Sequence, residues 1–214
     1  MKQQVQKEWD VLLTNYSQLS VCVDDIWAAF VLLKNVCRKG GLIMICGNGG
    51  SAADAGHITG ELMKSFKLKR PLTGDQREAL VSSFPDEATY FADHLQRGIR
   101  AISLAGQAAF SSAFINDVAP DMVFAQQVFG YGSIGDVLWA ISTSGNSTNV
   151  VNACKIARAF GIGTIGMTGE HGGQLVEICN VTIRVPACKT FRVQEYHLPV
   201  YHTLCAMLEA ELFS

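Results

Sequence analysis

The chain has 214 residues and a formal net charge of −2, so a single domain with a sizeable core is expected. The small charge and the lack of a Lys/Arg cluster exclude a nucleic-acid-binding surface. No apolar run approaches the ~20 residues of a membrane span, and the seven cysteines without a C-x-x-C pair are typical of free thiols. We therefore expect a cytoplasmic protein without membrane or nucleic-acid partners, in which most thiols are buried.

Helices and a glycine turn dominate the first third of the chain. Apolar residues at helical spacing predict N-terminal helices within residues 1–39, and we expect a neighbouring subunit to cover their apolar stripes. The apolar run Leu42–Ile45 predicts a strand that is buried on both faces. Residues 47–50 then allow a tight turn, and Ser51 is expected to cap a helix that runs to about Phe66.

Residues 67–99 interrupt this pattern. They contain a proline, a glycine and two weakly helical stretches, which predict a surface excursion with one or two short helices. The alternative is a flap over a binding site, in which Lys64, Lys67 or Arg70 meets an anionic ligand.

After residue 99, strands and helices alternate regularly. The predicted elements are a strand at 100–105, a loop through 116–117, a helix at 119–129, a strand at 137–141, a helix at 149–160, a strand at 162–167, a short helix at 175–179, a strand at 181–185 and a helix at 192–212. Pro199 predicts a kink or a boundary near residues 196–198 of the last helix. This alternation indicates an α/β fold with a parallel sheet covered on both faces, which binds ligands at the carboxyl ends of its strands.

Two turns of small residues at strand-to-helix junctions are the strongest functional signal. One is Gly47–Ser51, and the other spans residues 142–147 and carries four hydroxyls: Ser142, Thr143, Ser144 and Ser147. Free backbone N–H groups, helix N-termini and hydroxyls suit a phosphate. One such turn is more often a simple helix cap, but two at the same edge of a sheet indicate phosphate binding.

Two of the predicted helices carry residues with acid/base or metal-binding chemistry. His57 and Glu61 are four residues apart and share one helix face. Gln194 and His202 lie about 80° apart around the last helix. That helix also carries Glu195 and His197. Such sets often form only a solvated face, yet histidine also serves as acid or base near neutral pH, and with carboxylate and amide oxygens it binds Zn²⁺.

Together these motifs resemble the sugar isomerase (SIS) domain and, within it, the phosphoheptose isomerases. The matching motifs are, in chain order, Cys46–Ala52, His57 with Glu61, Asn116–Asp117, Ser142–Ser147, Met167–Gly169 with Gly172–Gly173, and Arg192–Glu195 with His202. They extend over about residues 5–212, which indicates a single SIS domain over 1–214 with a helical insertion at 67–99. The resemblance implies a flavodoxin-like three-layer sandwich around a five-stranded parallel sheet, in a homotetramer whose active sites lie near subunit interfaces.

The resemblance also implies a role for individual residues. Glu61 and His202 would be the catalytic acid/base pair. The residues that would contact the sugar phosphate are Asn48, Gly49, Gly50, Ser51, Glu61, Asn116, Asp117, Ser142, Thr143, Ser144, Ser147 and Gln194. The ligands of one Zn²⁺ per subunit would be His57, Glu61, Gln194 and His202.

The implied reaction is the aldose–ketose isomerisation of sedoheptulose 7-phosphate to D-glycero-D-manno-heptose 7-phosphate through an enediolate. The alternatives are an isomerase of another sugar phosphate, or a non-catalytic SIS protein that regulates by binding a sugar phosphate or a replication initiator. The presence of Glu61, Gln194 and His202 favours an enzyme, because a scaffold has no chemical need for that set. The insertion and Pro199 depart from the family pattern and leave the exact substrate open.

Overall fold

A computed structural model describes residues 2–214. The helices are α1 (Gln3–Asn15), α2 (Val23–Arg38), α3 (Gly50–Met63), α4 (Gly74–Ser83), α5 (Ala88–His94), α6 (Ala108–Asp117), α7 (Val123–Tyr131), α8 (Thr148–Ala159), α9 (Leu175–Ile178) and α10 (Thr190–Phe213). The strands are β1 (Ile43–Gly47), β2 (Ala101–Ser103), β3 (Val137–Ile141), β4 (Gly163–Thr168) and β5 (Val181–Arg184). Short 3₁₀ turns occupy Ser17–Cys22, Leu104–Gly106 and Pro120–Met122.

The five strands form one sheet in the order β2-β1-β3-β4-β5, and every neighbouring pair is parallel. Successive side chains point to opposite faces. Ile43 and Ile45 therefore pack with α1, α2, α3 and α10, whereas Met44 and Cys46 pack with α7 and α8. The predicted three-layer α/β sandwich with a five-stranded parallel sheet is confirmed.

The N-terminal helices are part of the chain's own core. Val5 and Leu12 of α1 and Ile26 and Leu33 of α2 are all buried within this one chain. Helix α1 packs along α10, and α2 packs against α10 and β5. The expectation that a neighbouring subunit would cover these stripes is wrong, because α10 already does so.

Two predicted helix ends differ from the structure. Helix α3 begins at Gly50 after Gly49, whose φ is +55°, so Ser51 lies inside the first turn and its side chain caps nothing. Helix α10 continues through Pro199 without interruption, and the predicted boundary near residues 196–198 is wrong. Proline removes one backbone donor, but the burial of its neighbours keeps the helix whole.

The segment after α3 contains two short helices, as the sequence predicted for residues 67–99. Helix α4 starts with a capping box in which Thr73 and Gln76 each bond the other's backbone N–H. No residue of α4 is buried. The two ends of the segment meet, because the Arg97 N–H donates to the Arg70 carbonyl at 2.9 Å. The segment is therefore a helical hairpin that projects from the core.

A buried ion pair fixes the start of this hairpin. The guanidinium of Arg70 donates to Glu209 Oε1 at 2.7 Å and to the carbonyls of Leu62 and Glu61 at 2.7 and 3.1 Å. The Glu209 carboxylate also accepts three backbone N–H bonds, from Phe66, Lys67 and Leu68. The side chains of Arg70 and Glu209 are 0% and 1% exposed.

These contacts overturn most of the alternative in which the segment is a cationic flap. Arg70 is buried and fully engaged, and Lys67 forms an ion pair with Glu8 at 2.6 Å. Both cations therefore stabilise the fold. Lys64 remains exposed, with its Nζ atom 3.6 Å from Glu61 Oε2.

All seven cysteines are free thiols, and Cys188 is the exposed one. This agrees with the prediction that most thiols are buried. Within residues 2–214, no helix combines the length and the apolarity needed to cross a membrane.

Candidate active site

The two small-residue turns lie side by side at one edge of the sheet. Gly47 at the end of β1 pairs in register with Ile141 at the end of β3. The strand order reverses between these two strands, and such a switch point is the usual ligand site of an open parallel sheet. Asn48 and Asn149 join the turns by exchanging two amide hydrogen bonds of 2.9 Å each.

Glycine is required in the second turn. Gly145 has a φ of +67°, and a Cβ atom there would lie 1.9 Å from the Gly172 carbonyl oxygen. Gly173 approaches the same turn, since its own Cβ atom would lie 2.5 Å from the Ser144 carbonyl oxygen. The glycine pair at 172–173 therefore supports the 142–147 turn from behind.

The hydroxyls of the second turn are held near the N-terminus of α8. Ser142 Oγ donates to Ser147 Oγ at 3.1 Å, and Ser144 Oγ accepts from a backbone N–H in the same turn. Within residues 2–214, the amides of Thr148 and Asn149 in the first turn of α8 have no acceptor. Free amides and hydroxyls at the positive end of a helix form a cradle for an anion.

The first turn is covered by a residue from the last helix. A Cβ atom on Gly50 would lie 2.4 Å from Gln194 Nε2, so the glutamine amide lies directly against the turn. Ser51 is 3% exposed beneath it. The structure therefore brings together Gly50, Ser51 and Gln194, as predicted, although these residues are far apart in sequence.

About two to three turns along α3, His57 and Glu61 meet His202 of α10. His57 Nε2 is 3.3 Å from Glu61 Oε1 and 3.5 Å from His202 Nε2. Glu61 Oε2 is buried without a hydrogen bond, because Lys64 at 3.6 Å is too distant to form one. A hollow of about 220 Å³ between α1 and α10 reaches His202. A buried carboxylate oxygen without a donor is costly, and such groups concentrate at functional sites.

Two further side chains, Tyr201 and Asp54, form a hydrogen-bonded chain that ends at His57 Nδ1. Tyr201 donates its hydroxyl to Asp54 Oδ1 at 3.3 Å, and the same hydroxyl lies 3.0 Å from His57 Nδ1. Burial raises the pKa of Asp54, and the Tyr201 hydrogen bond and the charge of His57 offset only part of this rise. Burial and then the charge of His57 lower the pKa of His202, although Glu61 acts in the opposite direction.

The cluster has the chemistry to hold a proton or a cation. His57 Nε2 lies close to two other electron-pair donors, Glu61 Oε1 and His202 Nε2, and such atoms repel each other unless a proton or cation lies between them. The separations of 3.3 and 3.5 Å match the edge of a tetrahedron around Zn²⁺, which is about 3.4 Å for bonds of 2.0–2.1 Å. As they stand, however, no three His, Cys, Asp or Glu side chains in residues 2–214 form a metal-holding group.

Within residues 2–214, the side chains of Asn116 and Asp117 form no hydrogen bond to this cluster. Both residues end α6 instead of lying in a loop, and Asn116 Nδ2 donates to Asp117 Oδ1 at 2.8 Å. Helix α6 packs against α7 and against the 3₁₀ turn Pro120–Met122. Thr143 uses its carbonyl to accept the Gly169 N–H, which links the second turn to the end of β4.

Sequence reasoning missed three polar residues of the site: Asp54, Asn149 and Tyr201. Helical spacing could have identified two of them, because Asp54, His57 and Glu61 follow i, i+3, i+7, and Tyr201 is seven residues after Gln194. Each set therefore lies on one face of its helix. Asn149 had no comparable signal, since its partner Asn48 is 101 residues away.

Comparisons with known proteins agree with this geometry. A family model described as SIS domain matches residues 79–169. The chain is 36% identical to the phosphoheptose isomerase of Rhodospirillum rubrum over 93% of its own length and 92% of that protein. It is 40% identical to that of Aliarcobacter butzleri over 82% and 79% of the two chains. A solved phosphoheptose isomerase from Neisseria gonorrhoeae aligns with a TM-score of 0.72 at 30% identity, over 94% of this chain and 93% of that one.

A doubly wound sheet with two phosphate-type turns at its switch point and a matching domain model defines a protein of the SIS class. Within that class, the chain belongs to the phosphoheptose isomerase family.

Proposed function

We propose that the protein is an aldose–ketose isomerase that converts sedoheptulose 7-phosphate to D-glycero-D-manno-heptose 7-phosphate. The observation that carries the proposal is the cluster of Glu61, His57 and His202, about two to three helical turns along α3 from a double anion cradle. Family membership supports the reaction class. The presence of three such groups in one cluster favours catalysis over a role limited to binding.

The phosphate belongs in the cradle formed by the second turn. Ser142, Ser144 and Ser147 supply hydroxyls, and the first amides of α8 supply N–H donors. The sugar then extends over Asn48, Gly49 and Gly50 toward Gln194, and Ser51 closes the floor of the first turn. A substrate anchored in this way presents its C1 and C2 atoms to α3.

Glu61 and His202 perform the proton transfers. The Glu61 carboxylate removes the C1 proton of the open-chain ketose, and the C1–H electron pair becomes the C1–C2 double bond while the carbonyl pair moves onto O2. The proton then returns to C2, and His202 moves a proton from O1 to O2. Without a donor on its Oε2 atom, Glu61 is free to act as a base.

We propose that one Zn²⁺ per subunit binds here, with His57, Glu61, Gln194 and His202 as ligands. The two separations close to a tetrahedral edge support this set. When bound, the metal would polarise the substrate carbonyl as a Lewis acid.

We also propose a homotetramer whose active sites lie near subunit contacts. The His57 side chain is 44% exposed in the single chain, whereas that of its neighbour Glu61 is 12% exposed. The hairpin presents four large apolar side chains to solvent: Val81, Phe84, Tyr90 and Leu95. Light scattering after size-exclusion chromatography would give the mass of the assembly directly.

A panel of ketose phosphates, with aldose formation followed by NMR, tests the function. Turnover of sedoheptulose 7-phosphate at a rate well above that of pentulose and hexulose phosphates is the expected result. Preference for one of the other sugars would identify a different isomerase. Tight sugar-phosphate binding without turnover would show a regulatory protein and refute the proposal. Metal analysis of the same preparation reports on zinc.

A further inference from the structure

We propose that Tyr201 is a positioning residue that fixes the tautomer of His57 and so directs the lone pair of His57 Nε2 toward Glu61 and His202. The Tyr201 hydroxyl bonds neither of the proposed reacting groups and is enclosed between α3 and α10, while the ring packs edge-on against that of His202 with centroids 4.9 Å apart. The catalytic consequence rests on the proposed function, whereas the tautomer itself does not.

The direction of each hydrogen bond carries the argument. A phenol has one proton, and Tyr201 gives it to Asp54 Oδ1 at 3.3 Å. The phenolic oxygen can then only accept from His57, whose Nδ1 atom is 3.0 Å away. His57 therefore carries its proton on Nδ1, and Nε2 is left with a lone pair.

The other tautomer would disable the cluster. With its proton on Nε2, His57 would donate to Glu61 Oε1 across the 3.3 Å gap. The carboxylate would then be engaged in a hydrogen bond, and no lone pair of His57 would face His202. A second group that orients a histidine in this way is typical of metal and acid/base sites.

The placement of Tyr201 agrees with this role. It is seven residues after Gln194, so both side chains of α10 face α3, where Asp54 and His57 lie one turn apart. The Tyr201 side chain is fully buried, which prevents water from replacing the phenol. The ring also packs edge-on against the His57 ring, with centroids 5.6 Å apart.

Nitrogen-15 NMR of histidine-labelled protein, without metal or substrate and at about pH 8 where imidazole is neutral, measures the tautomer directly. We expect Nδ1–H for His57 in the native protein. Tyr201→Phe should shift it toward Nε2–H. Asp54→Ala should do the same with the phenol retained, because the freed hydroxyl then donates to Nδ1. Tyr196→Phe, on the same helix, is the matched control and should leave the tautomer unchanged.

Zinc affinity and turnover provide the second measurement. Tyr201→Phe should weaken Zn²⁺ binding about 10–100-fold in competition with a fluorescent chelator, and should lower kcat by a similar factor with KM little changed. An Nε2–H tautomer in the native protein would overturn the proposal, and so would native tautomer and zinc affinity in both Tyr201→Phe and Asp54→Ala. If the tautomers are as expected but heptose phosphate is not isomerised, the positioning role stands and the proposed function fails.

Discussion

The contact between α3 and α10 holds two buried glutamates, and the two carboxylates have opposite environments. Glu209 accepts bonds from Arg70 and from three backbone amides, so both of its oxygens are satisfied. Glu61 is close by, since its backbone carbonyl accepts from the same Arg70, but its Oε2 atom is buried and without a hydrogen bond. The same chemical group is therefore structural where it is satisfied and available for chemistry where it is not.

Their electrostatics follow from these partners. Burial by itself would raise the pKa of Glu209, but the amides of Phe66 and Lys67 and the guanidinium of Arg70 outweigh it and hold the pKa below its ordinary value. Glu209 therefore stabilises the fold above the pKa of an unfolded glutamate, and this contribution is lost as the pH falls through the lowered folded value. The neighbours of the Glu61 carboxylate are two histidines and a distant lysine.

The largest effect is expected at the unsatisfied carboxylate. Glu61→Gln should lower kcat by about 10³-fold, because the amide cannot remove the C1 proton. The free energy of unfolding should stay the same or rise, since a buried charge without a donor is replaced by a neutral group. Steady-state kinetics and urea unfolding measure the two quantities. Glu78→Gln, on the exposed face of α4, is the control, and near-native turnover of Glu61→Gln would remove Glu61 from the mechanism.

A change at the fully hydrogen-bonded Glu209 carboxylate should instead alter stability. Arg70→Met leaves Glu209 without its cation and two carbonyls without a donor, so the free energy of unfolding should fall by about 3–5 kcal/mol. The double variant Arg70→Met with Glu209→Leu should recover part of that loss, because it removes the uncompensated charge. Urea unfolding compares both with the native protein. A loss below about 1 kcal/mol in Arg70→Met would contradict the structural role of the pair.

A third buried polar group, nearer the start of α10, should have the smallest effect at neutral pH. His197 is fully buried, neither ring nitrogen has a hydrogen bond of good geometry, and burial lowers its pKa to about 4 despite the nearby Thr168 carbonyl. As the pH falls through about 6.5, His197 binds a proton in the unfolded state but not in the folded state. The folded state is therefore most stable above that pH, and about 3 kcal/mol of the free energy of unfolding is lost as the pH falls to about 4.

His197→Leu should remove this loss. The free energy of unfolding of the variant and the native protein, measured by urea unfolding between about pH 8 and pH 5, should diverge as the pH falls, with the variant more acid-resistant. Parallel curves would show that His197 does not titrate differently in the two states. The comparison cancels the other four histidines, which both proteins share.

The sequence predicted the sheet well because its central strands β1 and β3 are apolar and small-residue turns follow them. It misplaced Asn116 and Asp117 because α6 has no buried residue, and a helix without an apolar stripe gives no periodic signal. Arg70 was misjudged for a similar reason. A basic run normally indicates an exposed surface, and the partner that buries this arginine lies 139 residues further along the chain.

The site was predictable where the chemistry is local and unpredictable where it is not. Gly49, Gly50 and the serines of the second turn follow directly from two short motifs. Tyr201 lies beside His202 in sequence, but nothing in the sequence shows that its hydroxyl faces Asp54 across a helix contact. Contacts between distant helices depend on how the elements pack, and patterns within one helix do not specify that packing.

The hydrogen bond between Arg97 and Arg70 has an evolutionary consequence. It makes the α4–α5 hairpin a module whose entry and exit are already adjacent, so residues between them can be shortened, lengthened or exchanged at little cost in loop-closure entropy. The anchor that positions the end of α3 lies outside the exchangeable part. Variation in the length of this segment among relatives would therefore leave Glu61 where it is, and could alter subunit contacts without rebuilding the catalytic centre.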